Sequence, residues 1–252
     1  MKLKFLGTGS GWGVMIHQKR STGGIWLEMD DEKIIIDPGA GFLCKAKEFG
    51  IDPTELTAIL ISHNHTDHAT EINVAIEAMI TGHDGKYGTV LAGHNVLNTS
   101  DKYIQILSKF HEDLPERILE MAPGSEANIG KIKVYGTRTE HYETKCVGFV
   151  FEGSKKIGYT SDGMYYPGMG SQFEGCDILI VNTFLPHGEF MPGHMNTEGI
   201  IMLAMEAKPK RIVLTHFSEQ MLERGPSHEA VLIEKQTGIP TTAADDGVSF
   251  EV

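Results

Sequence analysis

The sequence predicts an α/β (α+β) fold in which β-sheets are covered by helices, and three observations support it. Eleven short runs are dominated by apolar residues and bounded by glycine, proline or aspartate, the pattern of strands. Most of these runs are apolar throughout rather than strictly alternating, as strands buried on both faces are. Segments with helical spacing lie between some of them, so helices are available to cover the outer faces of the sheets.

In chain order, the predicted strands begin with "KLKFLG", "GIWLEMD" and "KIIIDPG", the last halted by Pro38 and Gly39. "GFLCKAKEFG" then reads as a helix, "AILIS" as a strand, "ATEINVAIEAMI" as a helix, "TVLAG" as a strand and "DKYIQILSKF" as a helix. "KIKVYG", "VGFVFEG", "KIGYTS" and "DILIVNTF" follow as strands, and "NTEGIIMLAMEA" as a helix whose methionines fill core gaps. The last three elements are the strand "RIVLT", the helix "SHEAVLIEKQTG" and the strand "GVSFEV", the helix ending at the stop signal of Gly238 and Pro240. No Ser/Pro linker divides the chain, so residues 1–252 are expected to form one domain. Residues 1–120 and 130–252 each hold several strands followed by helices, which suits two similar lobes sharing one core.

Composition excludes several classes of protein. With 40% hydrophobic and 22% charged residues, the chain can bury a sizeable core without staples. The three cysteines, Cys44, Cys146 and Cys176, form no CxxC pair, so a disulfide framework is not expected and a reducing cytoplasm is. The N-terminus has no apolar export segment, and no run approaches the length of a membrane span. A formal net charge of −12 disfavours bulk nucleic-acid binding. A basic stretch over residues 131–156 is read as a solvated sheet face.

The chemistry concentrates in "SHNHTDH", directly after the strand "AILI". Side chains alternate in an extended segment, so His63 and His65 face the same side and offer a two-point grip on a divalent metal. Asp67 keeps that parity, and His68 turns toward a second position as the following helix begins. Imidazole and carboxylate suit zinc, and also iron or manganese. Further ligand types stand at other strand ends: Asp162 after "KIGYTS", His216 after "RIVLT", and His141 after "KIKVYGTRTE". Strand ends are where loops gather around a site on a rigid scaffold.

These motifs, together with the opening "FLGTGS", the "DPG" at 37–39, "TSDG", "PGHMNTEG" and "LTHFS", resemble the metallo-β-lactamase fold superfamily, and within it the branch of ribonuclease Z and related phosphodiesterases. The resemblance implies a four-layer αβ/βα sandwich of two mixed β-sheets flanked by helices. It implies His63, His65 and His141 on one metal, Asp67, His68 and His216 on the other, and Asp162 between them. Two divalent ions, zinc first with manganese or iron as alternatives, would share a water and bring its pKa near 7, making hydroxide the nucleophile. Asp67 would orient it or take its proton. His194, in "PGHMNTEG", would protonate the leaving group or stabilise an oxyanion; the alternative is a histidine capping the helix that opens at Asn196. Homodimers are frequent among such relatives.

The expected substrate is a small-molecule or RNA-derived phosphodiester. The glycine-rich, basic arm with which ribonuclease Z proteins grip transfer RNA is not visible, since the short "TGHDGKYG" is the only glycine cluster in that region. Asn182 in "VNTF" and Gly163 in "TSDG" also depart from the branch, and bear on substrate rather than metal. Two other readings keep the metals: hydrolysis of a lactone, thioester or lactam, and a non-catalytic, metal-stabilised binding protein. A two-iron redox role fits less well, because relatives of that kind replace the histidine at position 65 by glutamate. The glycine-rich loop over residues 7–24 is not a P-loop, as no GK[ST] follows; it offers backbone N–H groups, His17 and Arg20 to a substrate. His187 is a further loop candidate. His83, His94, His111 and His228 read as surface or packing residues, and Trp12, Tyr165 and Tyr166 as pocket walls or plain packing.

Overall fold

The computed structural model describes residues 1–251. Six strands are formed by the first part of the chain: β1 (Lys2–Phe5), β2 (Ile25–Met29), β3 (Glu32–Ile36), β4 (Ala58–Ile61), β5 (Thr89–Gly93) and β6 (Arg117–Met121). Eight follow: β7 (Glu126–Ile129), β8 (Ile132–Arg138), β9 (Val147–Glu152), β10 (Lys156–Tyr159), β11 (Ile178–Asn182), β12 (Ile212–Thr215), β13 (Thr241–Ala243) and β14 (Ser249–Glu251). They make two seven-stranded sheets, ordered β14-β1-β2-β3-β4-β5-β6 and β13-β12-β11-β10-β9-β8-β7. Each sheet is mixed. Antiparallel pairs join β14 through β3 and β7 through β10, and parallel pairs join β3 through β6 and β10 through β13. The final strand crosses back to pair with the first, Leu3 opposite Phe250.

The alternation of side chains along a strand builds the layers. Ile34 and Ile36 enter the core between the sheets with Leu27, Leu60, Phe149, Phe151, Ile157 and Ile180, whereas Ile35 faces the opposite way. Ile35 packs with Trp26, Ile59, Ile61 and Val90 against the helices Phe42–Glu48 and Ile72–Ile80, through Phe42, Ala46, Ile72, Ile76 and Met79. On the other side, Leu179, Val181 and Leu214 pack against Ile200, Leu203 and Ala204 of the helix Thr197–Ala207 and Ile233 of the helix Pro226–Thr237. The order is helix, sheet, sheet, helix. It explains why "KIIID", "AILIS" and "DILIV" are unbroken apolar runs, because both faces of each strand are buried. Each fully buried Leu, Ile or Phe contributes about 1.5–3 kcal/mol relative to exposure.

Several local elements differ from expectation. "DKYIQILSKF" is mostly irregular, with helix only over Lys109–Glu112. Its apolar residues do not share one face: Leu107 is fully buried while Ile104 is 81% exposed. The backbone N–H groups of Ile106 and Leu107 bond to Val96 O rather than within the segment. Helices Gly11–Ile16 and Glu219–Arg224 and strands β6, β7 and β13 are additional. No helix among the described residues is long and apolar enough to cross a membrane.

Candidate metal centre

The C-terminal ends of β3, β4, β8, β10, β11 and β12 meet at one edge of the sandwich, and the polar residues that follow them converge there. β4 delivers Ser62 and His63, followed by His65 and the short helix Thr66–Ala69 that carries Asp67 and His68. β8 leads to His141, β10 to Asp162, and β12 to His216. Asp37, Ser161 and His216 adopt left-handed backbone angles, φ 52°, 55° and 65°, a conformation that costs energy for residues other than glycine and clusters at functional sites.

All seven residues expected from sequence as metal ligands come together, in two groups. In the first, His63 Nε2 lies 3.0 Å from His65 Nδ1, which lies 3.3 Å from His141 Nε2. Asp162 Oδ2 is 3.9 Å from His63 Nε2 and 3.8 Å from His141 Nε2. In the second, His68 Nε2 is 2.9 Å from His216 Nε2, and Asp67 Oδ2 is 3.4 Å from His216 Nε2 and 3.8 Å from His68 Nε2. Asp162 faces this group too, with Oδ1 3.2 Å from His216 Nε2 and Oδ2 3.5 Å from His68 Nε2. Donors on a tetrahedral zinc are separated by about 3.3–3.6 Å, the edge set by bonds of about 2.0–2.2 Å. The separations in both groups bracket that edge. Nitrogen atoms facing one another at about 3 Å oppose their lone pairs unless a proton or a cation stands between them, so this donor set fits metal ions.

The outer ring nitrogens are held so that the inner ones face the cluster. His63 Nδ1 lies 2.9 Å from Ser62 Oγ, His68 Nδ1 2.9 Å from Asp37 Oδ2, and His141 Nδ1 2.7 Å from Gly193 O. Such contacts fix tautomer and ring orientation in metal sites. Only His216 Nδ1 lacks a partner among the buried ring nitrogens of the cluster.

Burial and neighbouring charges set the protonation of the metal-free chain. Burial, with the charge of His68 nearby, holds His63 well below its ordinary value, and burial with His141 brings His65 down to about 4. Burial opposes charge on Asp162 and Asp67 as well, but the surrounding histidines outweigh it and hold both carboxyls below the usual range. His68 is the converse: despite burial, Asp162 and Asp67 raise it well above the ordinary value. The carboxylates are thus anionic, and His63 and His65 are neutral, as ligands must be.

His194 sits beside this cluster, its ring 5.1 Å from that of His141, 5.5 Å from Tyr142 and 4.2 Å from Phe184, centroid to centroid. Burial lowers its pKa, with the charges of His141 and His216 acting in the same direction. It is not a helix cap, since Asn196 accepts from Gly199 N at 2.9 Å and caps the helix itself. The glycine-rich loop reaches the cluster through Gly11 N, which donates to Asp67 Oδ2 at 3.1 Å. Arg20 is committed elsewhere, donating to Thr8 Oγ1 at 2.9 Å and pairing with Asp245. Tyr165 and Tyr166 pack and bond to Glu206 and Arg138 O rather than walling the centre. His187 pairs with Glu198, His94 with Glu120 and His111 with Glu77, while His83 stacks on Tyr87.

Sequence reasoning gave no ligand-holding role to Asp37 or Tyr159, and it read Asn182 as bearing on substrate rather than on the metal ligand it contacts. Asp37 accepts from Ser62 N, Ser62 Oγ, Tyr159 OH and His68 Nδ1, and Asn182 donates to Asp162. Their signal was present: each polar residue ends or follows a strand that is otherwise apolar and buried on both faces.

The chain is 31% identical over 255 residues to an uncharacterized protein of Methanocaldococcus jannaschii, covering 100% of this chain and 95% of the relative. Ribonuclease Z of Methanopyrus kandleri is 28% identical over 142 residues, 55% of this chain and 46% of that enzyme. The metallo-beta-lactamase fold protein YhfI of Bacillus subtilis superposes with a TM-score of 0.81 at 21% identity, covering 99% of each chain. Residues 32–217, a span that includes all seven clustered side chains, match the beta-lactamase superfamily domain. The chain belongs to the beta-lactamase superfamily, whose fold implies divalent metal ions.

Proposed function

We propose that this protein is a hydrolase that holds two divalent ions, zinc by the character of its donors, and cleaves phosphodiesters. The observation that carries the reading is the position of Asp162, whose two carboxylate oxygens lie 3.2–3.9 Å from nitrogens of both donor groups. His63, His65 and His141 would hold one ion, Asp67, His68 and His216 the other, with Asp162 shared. When bound, such a pair supplies Lewis acidity and lowers the pKa of water toward neutrality.

The chain's own residues supply the rest. Gly11 N and Ser10 Oγ both meet Asp67 Oδ2, at 3.1 and 3.4 Å. Oδ1 carries neither bond, and is the atom assigned to orient the attacking water and accept its proton. His194 is assigned to the departing oxygen; with its lowered pKa, its protonated form is a stronger acid than an ordinary histidine.

Charge and kinship favour a phosphodiester. Two divalent ions would outweigh the carboxylates of Asp67 and Asp162 and leave the site net positive, which suits an anionic diester. The ribonuclease Z relative acts through its name on RNA, and the similarity extends over about half of this chain. The three unpaired cysteines, two of them buried, suit a reducing cytoplasm. The test is turnover of bis(p-nitrophenyl) phosphate beside thioesters, lactones and a lactam, with and without chelator. Chelator-sensitive cleavage of the diester supports the reading. Turnover of the acyl substrates alone would refute it, and inertness of a metal-loaded chain across the panel would favour a binding protein.

A further inference from the structure

Beneath the cluster lie two polar side chains that belong to neither donor group, Tyr159 at the end of β10 and Asn182 at the end of β11. They are 2% and 3% exposed, on strands otherwise filled with apolar residues, where an uncommitted polar group would be costly. The Tyr159 hydroxyl and the Asn182 amide nitrogen are both engaged. One amide donor, Nδ2, reaches Asp162 Oδ1 at 2.8 Å and Tyr159 OH at 3.1 Å. The Tyr159 hydroxyl passes its own hydrogen to Asp37 Oδ2 at 2.6 Å, and Asp37 Oδ2 in turn accepts from His68 Nδ1 at 2.9 Å. Burial and the carboxylates of Asp37 and Asp162 keep the phenol protonated, well above its ordinary pKa.

The chain of bonds has a direction. An amide N–H₂ donates at both of its hydrogens, so Asn182 determines that Tyr159 receives at oxygen and donates onward. Both ends of the chain arrive at the second donor group. One end holds Asp162 Oδ1, the oxygen nearest His216 Nε2 at 3.2 Å; the other holds His68 with its proton on Nδ1 and Nε2 facing inward. In the first group the network holds only Asp162, whose other oxygen, Oδ2, lies farther off at 3.8 Å from His141 Nε2 and 3.9 Å from His63 Nε2; it meets the rings of that group only through Ser62 Oγ, which donates to Asp37 and lies 2.9 Å from His63 Nδ1. Asp37, His68, Tyr159, Asn182 and His216 also line a cavity of about 30 Å³, roughly the volume of one water, and the network's own side chains are buried.

We propose that Asn182 and Tyr159 are positioning residues that preorganise Asp162 and His68 together, and so set the affinity of one of the two ions more than the other. The inference rests on the two-ion reading above. Co²⁺ is the probe, because its visible absorption reports ligand geometry as it binds. In a titration of the full-length, metal-stripped chain, the wild type takes up two Co²⁺ in two steps. Asn182→Ala weakens one step by about ten- to a hundredfold, the usual effect of removing a residue that orients a ligand, and alters that step's absorption band. Tyr159→Phe weakens the same step. The double variant loses no more than the larger single loss, since residues acting in one network are not additive. Tyr159→Phe, which removes one oxygen and keeps the packing, carries the test alone should Asn182→Ala not fold. Folded variants with wild-type affinity and spectrum overturn the inference, as does an equal weakening of both steps. Wild-type protein that takes up fewer than two ions refutes the two-ion reading and this inference with it; two ions in the wild type with unchanged variants refutes the inference alone.

Discussion

Gly39 offers a sharp test of how the backbone places Asp67. The turn after β3 runs beneath the short helix that carries Asp67 and His68, tied to the segment just after that helix by Glu71 N donating to Pro38 O at 2.9 Å and to itself by Gly39 N donating to Asp37 O at 2.8 Å. A Cβ added at Gly39 would fall inside the contact distance of Asp67 O and Thr22 O, both backbone atoms. Neither can yield by turning a side chain. Relief requires the backbone under Asp67 to move by roughly 1 Å, a displacement that costs on the order of a hundredfold in rate when it reaches reacting groups. Overpacking of this kind costs about 1–3 kcal/mol, which for a chain of this size lowers Tm by roughly 2–12 °C. Gly39→Ala should therefore lower Tm, weaken metal uptake and reduce turnover together. Differential scanning calorimetry, a metal titration and a diester assay on the same sample decide the matter. Wild-type melting and wild-type metal affinity in this variant would refute the close approach and the placement of Asp67 that depends on it.

Three other outcomes are expected. Asp67→Ala should abolish diester turnover while leaving a folded chain by circular dichroism; wild-type turnover would contradict its assignment. His194→Ala should lower turnover by about a hundredfold with metal content unchanged, and substantial metal loss would make it a ligand instead. The pH profile of metal-free stability follows from the buried histidines. His63 and His65 have folded pKa values below the ordinary 6.5, about 4 for His65, so the unfolded chain binds their protons more tightly and stability falls as pH drops from 6.5 toward 4. Asp67 and Asp162, held below 3.8, contribute stability that is full above that value and is lost on further acidification. His68, raised above 6.5, contributes stability that is full below 6.5 and is lost as pH rises through its folded value. Melting curves of chelator-treated protein should therefore decline on both sides of neutrality, and a flat Tm between pH 4 and 7 would contradict this account.

Much of this was legible in the sequence because the two layers of helix leave the strands buried on both faces. "AILIS", "KIGYTS" and "RIVLT" announce themselves as apolar runs, and each ends where a ligand begins. The periodicities of "ATEINVAIEAMI" and "NTEGIIMLAMEA" likewise became helices over Ile72–Ile80 and Thr197–Ala207. What escaped was determined by tertiary capture. The apolar residues of "DKYIQILSKF" suggest a helix, but Leu107 is drawn into the core beneath Val96 and the segment unwinds to follow it. β7 and β13 are short, partly exposed and polar, so they exist through pairing with β8 and β12 rather than through any hydrophobic signal of their own. Tyr159 escaped for a related reason, since it reads as a strand residue until the sheets bring its hydroxyl against Asp37, and Asn182, noticed in the sequence as bearing on substrate, instead contacts Asp162.

The central claim is that Asp162 stands between two metal ions. Anomalous diffraction from crystals grown with Zn²⁺ tests it most directly, by locating the metals without assuming an activity. The account predicts two peaks about 3.5–4 Å apart, one among His63, His65 and His141, the other among Asp67, His68 and His216, with Asp162 contacting both. A single peak, or two peaks of which neither touches Asp162, would contradict it.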